Sequence, residues 1–157
     1  MTRSRSGGGG KKESGMRKLV YSLLVLLFTA FIFYNSSVPA VTSNNASYFL
    51  AGFAARVGEL LQVHMTLPEW NHVIRKLGYF FEFLLLGSLW IGALTAYGTG
   101  RHTATGYVLL FCLLTAVADE YLQLFIPGRS GRIQDILLDF SGAFVAWLSW
   151  RVWQWSH

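Results

Sequence analysis

Four long hydrophobic runs divide this chain, and polar or basic residues border each of them. The runs cover Leu19–Tyr34, Leu77–Tyr97, Gly106 to about Phe125, and Ile136–Trp153. A helix needs roughly 20 apolar residues to cross the hydrocarbon layer of a membrane. The pattern therefore predicts four membrane-spanning helices, of which the first is slightly short. A cleaved signal peptide is the alternative for that first run, but the run is long and aromatic for one.

A further helix is predicted between the first two runs, at Ala46–Met65. Its large apolar residues recur at helical spacing and form one face, with Arg56 and Glu59 on another side. Such a helix either lies on the membrane surface or packs as a loop helix against the bundle, and the pattern favours neither. The expected fold class is all-α and integral to the membrane: a compact bundle of four transmembrane helices plus a short amphipathic outer helix. Small residues expected to bring helices close together are Ser88-Gly92-Ala96 and Gly142-Ala146.

Composition agrees with a membrane protein. The 157 residues are 53% hydrophobic and 16% aromatic, but only 13% charged, about half the share in a soluble domain. This balance speaks against disorder and against an ordinary soluble enzyme. The net charge of +5 does not indicate nucleic acid, because six of the 13 basic residues directly precede the first hydrophobic run. The single cysteine, Cys112, cannot form an intrachain disulfide.

The basic residues also predict an orientation. With the N-terminus in the cytoplasm, eight Lys and Arg lie inside and five outside, which follows the positive-inside rule. Both termini are then cytoplasmic. Residues 1–16 are polar and glycine-rich and are expected to form a flexible cytoplasmic tail, whereas residues 17–157 form one membrane domain. The expected partner of that domain is the lipid bilayer.

In this orientation the carboxylates gather at the outer ends of the spans. Ionisable groups within spans are costly, so they normally face the bundle interior and pair with one another. Helical spacing agrees, because polar residues fall on one stripe of each of three spans. These stripes are Arg75, Tyr79 and Glu82 on the second span, Asp119 and Gln123 beside Glu120 on the third, and Asp135, Asp139 and Gly142 on the fourth.

The loop before the fourth span combines a Pro-Gly turn with Arg129 and Arg132. Arginines beside a helix N-terminus favour phosphate or another anion. An ordinary turn whose arginines pair with Asp119, Glu120 and Asp135 is the alternative, since buried carboxylates need such partners for structural reasons. The carboxylates could also hold Mg²⁺ or Ca²⁺. Because the arginines can neutralise them, we expect neither a metal nor a cofactor.

The sequence contains no recognised catalytic constellation. Ser130 has no suitable histidine near it for a Ser-His-Asp hydrolase, and the HExxH zinc motif is absent. An enzyme acting on lipid-linked envelope substrates remains an alternative, with Glu82 as general base or metal ligand. The other alternative is a structural or assembly protein, whose charged residues only stabilise the helix bundle.

Three blocks of residues resemble the VanZ-like family of bacterial membrane proteins, named for a teicoplanin-resistance protein. The most specific block has Asp119-Glu120, Gln123 and Pro127-Gly128-Arg129, followed by Asp135 and Asp139; the others are Arg75–Phe83 and, more weakly, Phe33–Ser37 with Pro39. The resemblance covers roughly residues 17–155. Tyr79 stands where the family usually carries His, so a hydrogen-bonding role fits that position better than proton transfer.

The resemblance implies a multi-pass protein of the bacterial plasma membrane, and some family members lower susceptibility to teicoplanin-type glycopeptide antibiotics. We therefore expect an outer-face polar cluster that binds an anionic group of a lipid-linked cell-envelope component and contributes to this resistance. Arginines and Lys76 would contact the anion, and the carboxylates would orient them. The candidate residues are Arg75, Lys76, Tyr79, Glu82, Asp119, Glu120, Gln123, Arg129, Arg132, Asp135 and Asp139.

Overall fold

The computed structural model describes residues 8–156, and only the backbone of residues 8–11, 40–41 and 43–46. Nearly all of this part of the chain is helical. The five helices are α1 Gly8–Ser37, α2 Ala40–Leu60, α3 Leu67–Ala96, α4 Arg101–Gln123 and α5 Ile133–Trp155. This confirms the predicted all-α class. Of the predicted tail, residues 1–7 lie outside the described residues, and α1 begins within the remainder at Gly8.

Within the described residues, three helical segments are long and apolar enough to cross a membrane: Lys12–Ser37 of α1, all of α3 and all of α4. Most of their residues are not covered by protein; Leu26 on α1 is 66% exposed and Leu114 on α4 is 54% exposed. A continuous apolar surface of this size is unfavourable in water and suits contact with lipid tails. These helices indicate an integral membrane protein.

Helix α5 does not meet the same criterion of length and composition. It has 23 residues, as many as α4, so length is not the reason. Its apolar character is diluted by Asp135, Asp139 and Arg151 and by several tryptophans, which prefer the membrane interface to its centre. The predicted count of four crossings is therefore not confirmed by composition.

Helix α2 lies earlier in the chain than the helix predicted at Ala46–Met65. It begins directly after Pro39, whose ring interrupts the backbone hydrogen bonding of α1. One side of α2 packs on α3, where Gly58 leaves room for the Trp70 ring. The predicted apolar face points away from the bundle, and Phe49 is 84% exposed.

The closest helix packing joins α3 to α5. A Cβ on Gly142 would collide with the Phe80 carbonyl oxygen, and one on Gly87 would lie 3.1 Å from the Ala143 Cα. Glycine at both positions therefore lets the two backbones approach. The prediction is right for Gly142 and for Gly92, where a Cβ would collide with the Tyr21 ring of α1. In the contact with α5, however, the small residue on α3 is Gly87, and Ser88 is exposed.

Polar contacts give the bundle two distinct ends. At one end, α1 and α4 finish and α3 and α5 begin; we call this the polar end. At the opposite end, the Ser22 and Tyr97 hydroxyls lie 3.1 Å apart, linking α1 to α3. The Trp147 indole donates a 3.1 Å hydrogen bond to Thr105, linking α5 to α4. Helix α5 thus runs beside α4 from one end of the bundle to the other.

Candidate functional site at the polar end

The C-terminus of α1 is bound to carboxylates of two other helices. The Asn35 side-chain amide donates to the Glu82 Oε1 atom of α3 over 2.8 Å. The Ser36 hydroxyl donates to the Asp119 Oδ2 atom of α4 over 2.7 Å, and Gln123 donates to the same oxygen over 2.9 Å. Ser36 and Asp119 are fully buried, so these hydrogen bonds hold the three helices in register inside the bundle.

Arg129 ties the loop between α4 and α5 to α1 and α3. Its Nε atom donates to the Val38 carbonyl over 2.8 Å, and its Nη2 atom donates to the Asn35 carbonyl over 3.0 Å. Its Nη1 atom donates to the Tyr79 hydroxyl. Carbonyls at the end of a helix lack donors within that helix. Arg129 therefore acts as a cap for α1, and the hydrogen-bonding role expected for Tyr79 is present.

The same loop passes tightly over α4. Gly128 has a φ angle of 77°, which a glycine adopts readily. A Cβ on Gly131 would lie 2.7 Å from the Glu120 carbonyl oxygen, so a larger residue would force the loop away. The Arg132 backbone N–H donates to Glu120 Oε2 over 2.7 Å at the start of α5. A carboxylate beside a helix N-terminus is stabilised by the helix dipole.

A cavity of about 200 Å³ opens among these elements, and we call it the polar-end cavity. Nine of the eleven predicted site residues line it, together with His72, Gly128, Ser130 and Leu138; the nine are Arg75, Lys76, Tyr79, Glu120, Gln123, Arg129, Arg132, Asp135 and Asp139. Basic and acidic side chains are mixed in its wall. Lys76 on α3 forms an ion pair with Asp135 in the first turn of α5.

The other two predicted residues lie apart from the polar-end cavity. Glu82 lines a second cavity of about 250 Å³ with Asn35 and Tyr79. Its Oε2 atom is buried without a hydrogen-bond partner among the described residues. Asp119 is completely buried on α4. The sequence placed all eleven residues in one cluster, whereas the structure distributes them over a cavity, a buried layer and a second cavity.

Three of the carboxylates come close together, and we call Asp119, Glu120 and Asp139 the carboxylate cluster. One oxygen from each lies within 4.8 Å of one from each of the others. The exposed fractions are 0%, 5% and 2%. Asp119 and Glu120 are consecutive on α4, and packing of α5 brings Asp139 to them.

The loop arginines do not pair with carboxylates in the manner of the ordinary-turn alternative. Arg129 donates to two carbonyls and a hydroxyl, and Arg132 reaches Glu120 through its backbone N–H. Within the described part of the chain, the side chains of these two arginines form no ion pair with Asp119, Glu120 or Asp135. The cation that pairs with Asp135 is Lys76.

Sequence reasoning did not place Asn35, Ser36 and His72 in the site. The first two belong to the weaker block at the end of α1, and uncharged residues after an apolar run look like an ordinary helix end. His72 lies one helical turn before Lys76, so it shares the stripe that leads into the polar-end cavity. The four-residue spacing between His72 and Lys76 is the sequence feature that could have identified His72 as a site residue.

An apolar helix bundle with buried carboxylates and a capping arginine at one end defines a small polytopic membrane protein rather than a soluble helical domain. The model of the VanZ/LLP1 family matches residues 19–154. The chain therefore belongs to the VanZ/LLP1 family, which confirms the resemblance carried by the three sequence blocks. Neither a curated protein nor a solved structure matches the chain.

Proposed function

We propose that α5 is a fourth membrane crossing and that both termini lie in the cytoplasm of a bacterial cell. A helix of 23 residues is about 34 Å long, enough for a hydrocarbon core of about 30 Å. Its contacts with α4 at both ends of the bundle support an antiparallel path through the same layer. The exposed apolar face of α2 suits the membrane surface at the polar end.

Fusion reporters test this topology. A periplasmically active alkaline phosphatase and a cytoplasmically fluorescent protein are each fused after residue 157 and, separately, within the loop at residues 98–100. Four crossings with an N-terminus inside predict fluorescence from both fusions. Phosphatase activity at residue 157, with fluorescence at the loop, would instead mean that α5 does not cross.

Our proposal for the activity is that the polar-end cavity binds an anionic group, a phosphate or carboxylate, of a lipid-linked envelope component. The observation that carries it is the concentration of basic side chains in the wall of one cavity: His72, Arg75, Lys76, Arg129 and Arg132. Guanidinium and ammonium groups form charge-assisted hydrogen bonds with such anions. The α5 N-terminus at the same cavity adds its dipole.

The basic residues have different roles in this proposal. The three guanidinium nitrogens of Arg129 already donate within the protein, so Arg129 shapes the wall. The Arg132 side chain is exposed at the mouth and is the best-placed contact for an incoming anion. Lys76 is held by Asp135, which fixes its position and moderates its charge.

The test uses short-chain phosphatidylglycerol as an anionic probe and short-chain phosphatidylcholine as a zwitterionic one. Each is titrated into purified protein in a neutral detergent, and binding is followed by native mass spectrometry. We expect a preference for phosphatidylglycerol that falls several-fold in Arg132→Gln. Arg101→Gln removes an exposed arginine at the opposite end and should bind as wild type. Equal binding of both probes would refute the proposal.

We also propose that anion binding in the polar-end cavity contributes to teicoplanin resistance in cells. A Gram-positive host expressing wild type, Arg132→Gln or Arg101→Gln is compared for teicoplanin and vancomycin susceptibility, with membrane levels checked by a tag. Protection against teicoplanin that is lost only in Arg132→Gln supports it. Unchanged susceptibility with well-inserted wild type would remove the antibiotic role and leave ligand binding to be judged by the lipid titration.

One observation favours an enzymatic alternative. The buried Oε2 atom of Glu82 has no hydrogen-bond partner among the described residues and lies beside the second cavity, as a general base before substrate binding would. Turnover of a lipid-linked substrate that disappears in Glu82→Gln at normal protein levels would support an enzyme. If substitutions in the polar end only reduce the amount of folded protein, the structural role is the better description.

A further inference from the structure

The carboxylate cluster places three acidic side chains where little solvent reaches them. Like charges at this separation repel strongly in a medium of low polarity. Lys76 and Arg129 attract the cluster electrostatically, but among the described residues neither forms an ion pair with it, because Arg129 donates to carbonyls and a hydroxyl and Lys76 pairs with Asp135. Neutralisation by the arginines, the reason for expecting no metal, is therefore incomplete.

Asp119 supplies an independent observation. It is 0% exposed, and its Oδ2 atom accepts from both Ser36 and Gln123. Its Oδ1 atom is buried with no hydrogen-bond partner among the described residues. A fully buried carboxylate oxygen without a donor loses its hydration and gains nothing in return, so this atom is suited to bind a cation or a proton.

The surroundings of the cluster resemble the outer shell of a metal site. Ser36 and Gln123 orient the Asp119 carboxylate, and the Arg132 N–H orients that of Glu120. Hydrogen bonds of this kind fix ligating carboxylates in protein metal sites. Glu120 and Asp139 also line the polar-end cavity, which gives an ion and its remaining water ligands a route from solvent.

We propose that Asp119, Glu120 and Asp139 bind one hard divalent cation, Ca²⁺ or Mg²⁺, at the floor of the polar-end cavity. An all-oxygen ligand set selects such ions. Two oxygens bound to one Ca²⁺ ion lie at most about 4.6–5.2 Å apart, twice the metal–oxygen distance. Oxygens within 4.8 Å of one another are therefore close enough to share one such ion. The cation site does not depend on the proposed anion binding.

Isothermal titration calorimetry tests the site with CaCl₂ and, separately, MgCl₂. Full-length protein in neutral detergent is first stripped with a chelating resin and kept in phosphate-free buffer, so that the outcome is independent of any anionic ligand. We expect one saturable cation per chain in wild type. Asp139→Asn should bind at least tenfold more weakly. Glu59→Gln, which removes an exposed carboxylate from α2, should bind as wild type.

A second measurement keeps the test decisive if Asp139→Asn folds poorly. The melting temperature of stripped wild type should rise with CaCl₂ or MgCl₂, but not with KCl of equal ionic strength. Absence of saturable binding to wild type would overturn the proposal. So would Asp139→Asn binding as tightly as wild type. If neither cation raises the wild-type melting temperature while Asp139→Asn melts higher than wild type, bound protons neutralise the cluster and the proposal is wrong.

Discussion

The two ends of the bundle are held together by different forces. At the polar end, α1, α3, α4 and the loop before α5 are joined by buried and half-buried hydrogen bonds that converge on Asp119 and Arg129. At the opposite end, apolar side chains pack around isolated links such as that between Ser22 and Tyr97. Because lipid tails are as apolar as leucine, apolar packing toward the opposite end does little to fix the positions of the helices relative to one another. The polar end therefore fixes the relative positions of the helices.

Between the ends, the α3–α5 contact should be the most sensitive to size. Replacing Gly142 with leucine puts a side chain where the Phe80 carbonyl lies, and we expect a loss of about 3 kcal/mol in the free energy of unfolding. Gly106→Leu on α4 is the matched control, because a Cβ there meets nothing within 4 Å. Unfolding in an SDS titration of detergent-solubilised protein measures both. Leucine has a higher helix propensity than glycine, so propensity alone would stabilise both variants. Equal losses would contradict the close-packing explanation.

Loss of Arg129 at the polar end should cause the second-largest decrease in the free energy of unfolding. Arg129→Gln removes donors to the half-buried Asn35 and Val38 carbonyls, of which, among the described residues, only the Asn35 carbonyl keeps another donor, the Val38 N–H at 3.4 Å. A buried acceptor left without a donor costs about 1–3 kcal/mol. We expect about 2 kcal/mol in the same titration and faster proteolysis between α1 and α2. Arg132→Gln changes an exposed side chain nearby and should stay within about 0.5 kcal/mol. A similar loss in both variants would contradict the capping role.

The sequence predicted the helical fold and most of the lining of the polar-end cavity, because apolar length and charge segregation are local properties. Nine of the eleven candidate residues line that cavity. What it did not predict depends on the packing of distant segments. Asn35 and Ser36 contribute only because α1 ends beside Glu82 and Asp119, more than 40 positions later. Likewise, the sequence offered an anion site or pairing with acids for the loop arginines, whereas α1 presents carbonyls that Arg129 caps.

Adjacent serines at the end of α1 offer a sharper comparison. Ser36 is buried and donates to Asp119 over 2.7 Å, whereas Ser37 is exposed and donates to the Phe33 carbonyl of its own helix. Hydrogen bonds to charged groups contribute about 1.5–3 kcal/mol. We expect Ser36→Ala to cost about 1.5 kcal/mol and Ser37→Ala less than about 0.5 kcal/mol.

A double-mutant cycle separates the Ser36 hydrogen bond from local effects. Asp119→Asn alone and combined with Ser36→Ala are compared with the single variants in the same SDS titration. A coupling energy above about 0.5 kcal/mol is expected for residues in direct contact. Additive losses would mean that Ser36 acts on α1 alone and that the two helices are not held together through it.

A substitution at the opposite end should cause the smallest decrease in the free energy of unfolding. Tyr97→Phe removes the hydroxyl that lies 3.1 Å from Ser22 but keeps the ring over which Lys18 is placed. Hydrogen bonds between transmembrane helices contribute about 0.6 kcal/mol on average, and this one is exposed. We expect a loss of about 0.5 kcal/mol or less. Tyr107→Phe, on the ring stacked with Phe111, controls for removal of a phenol. If Tyr97→Phe cost as much as Ser36→Ala, the two ends would contribute equally to helix register, and the polar end would lose its special role.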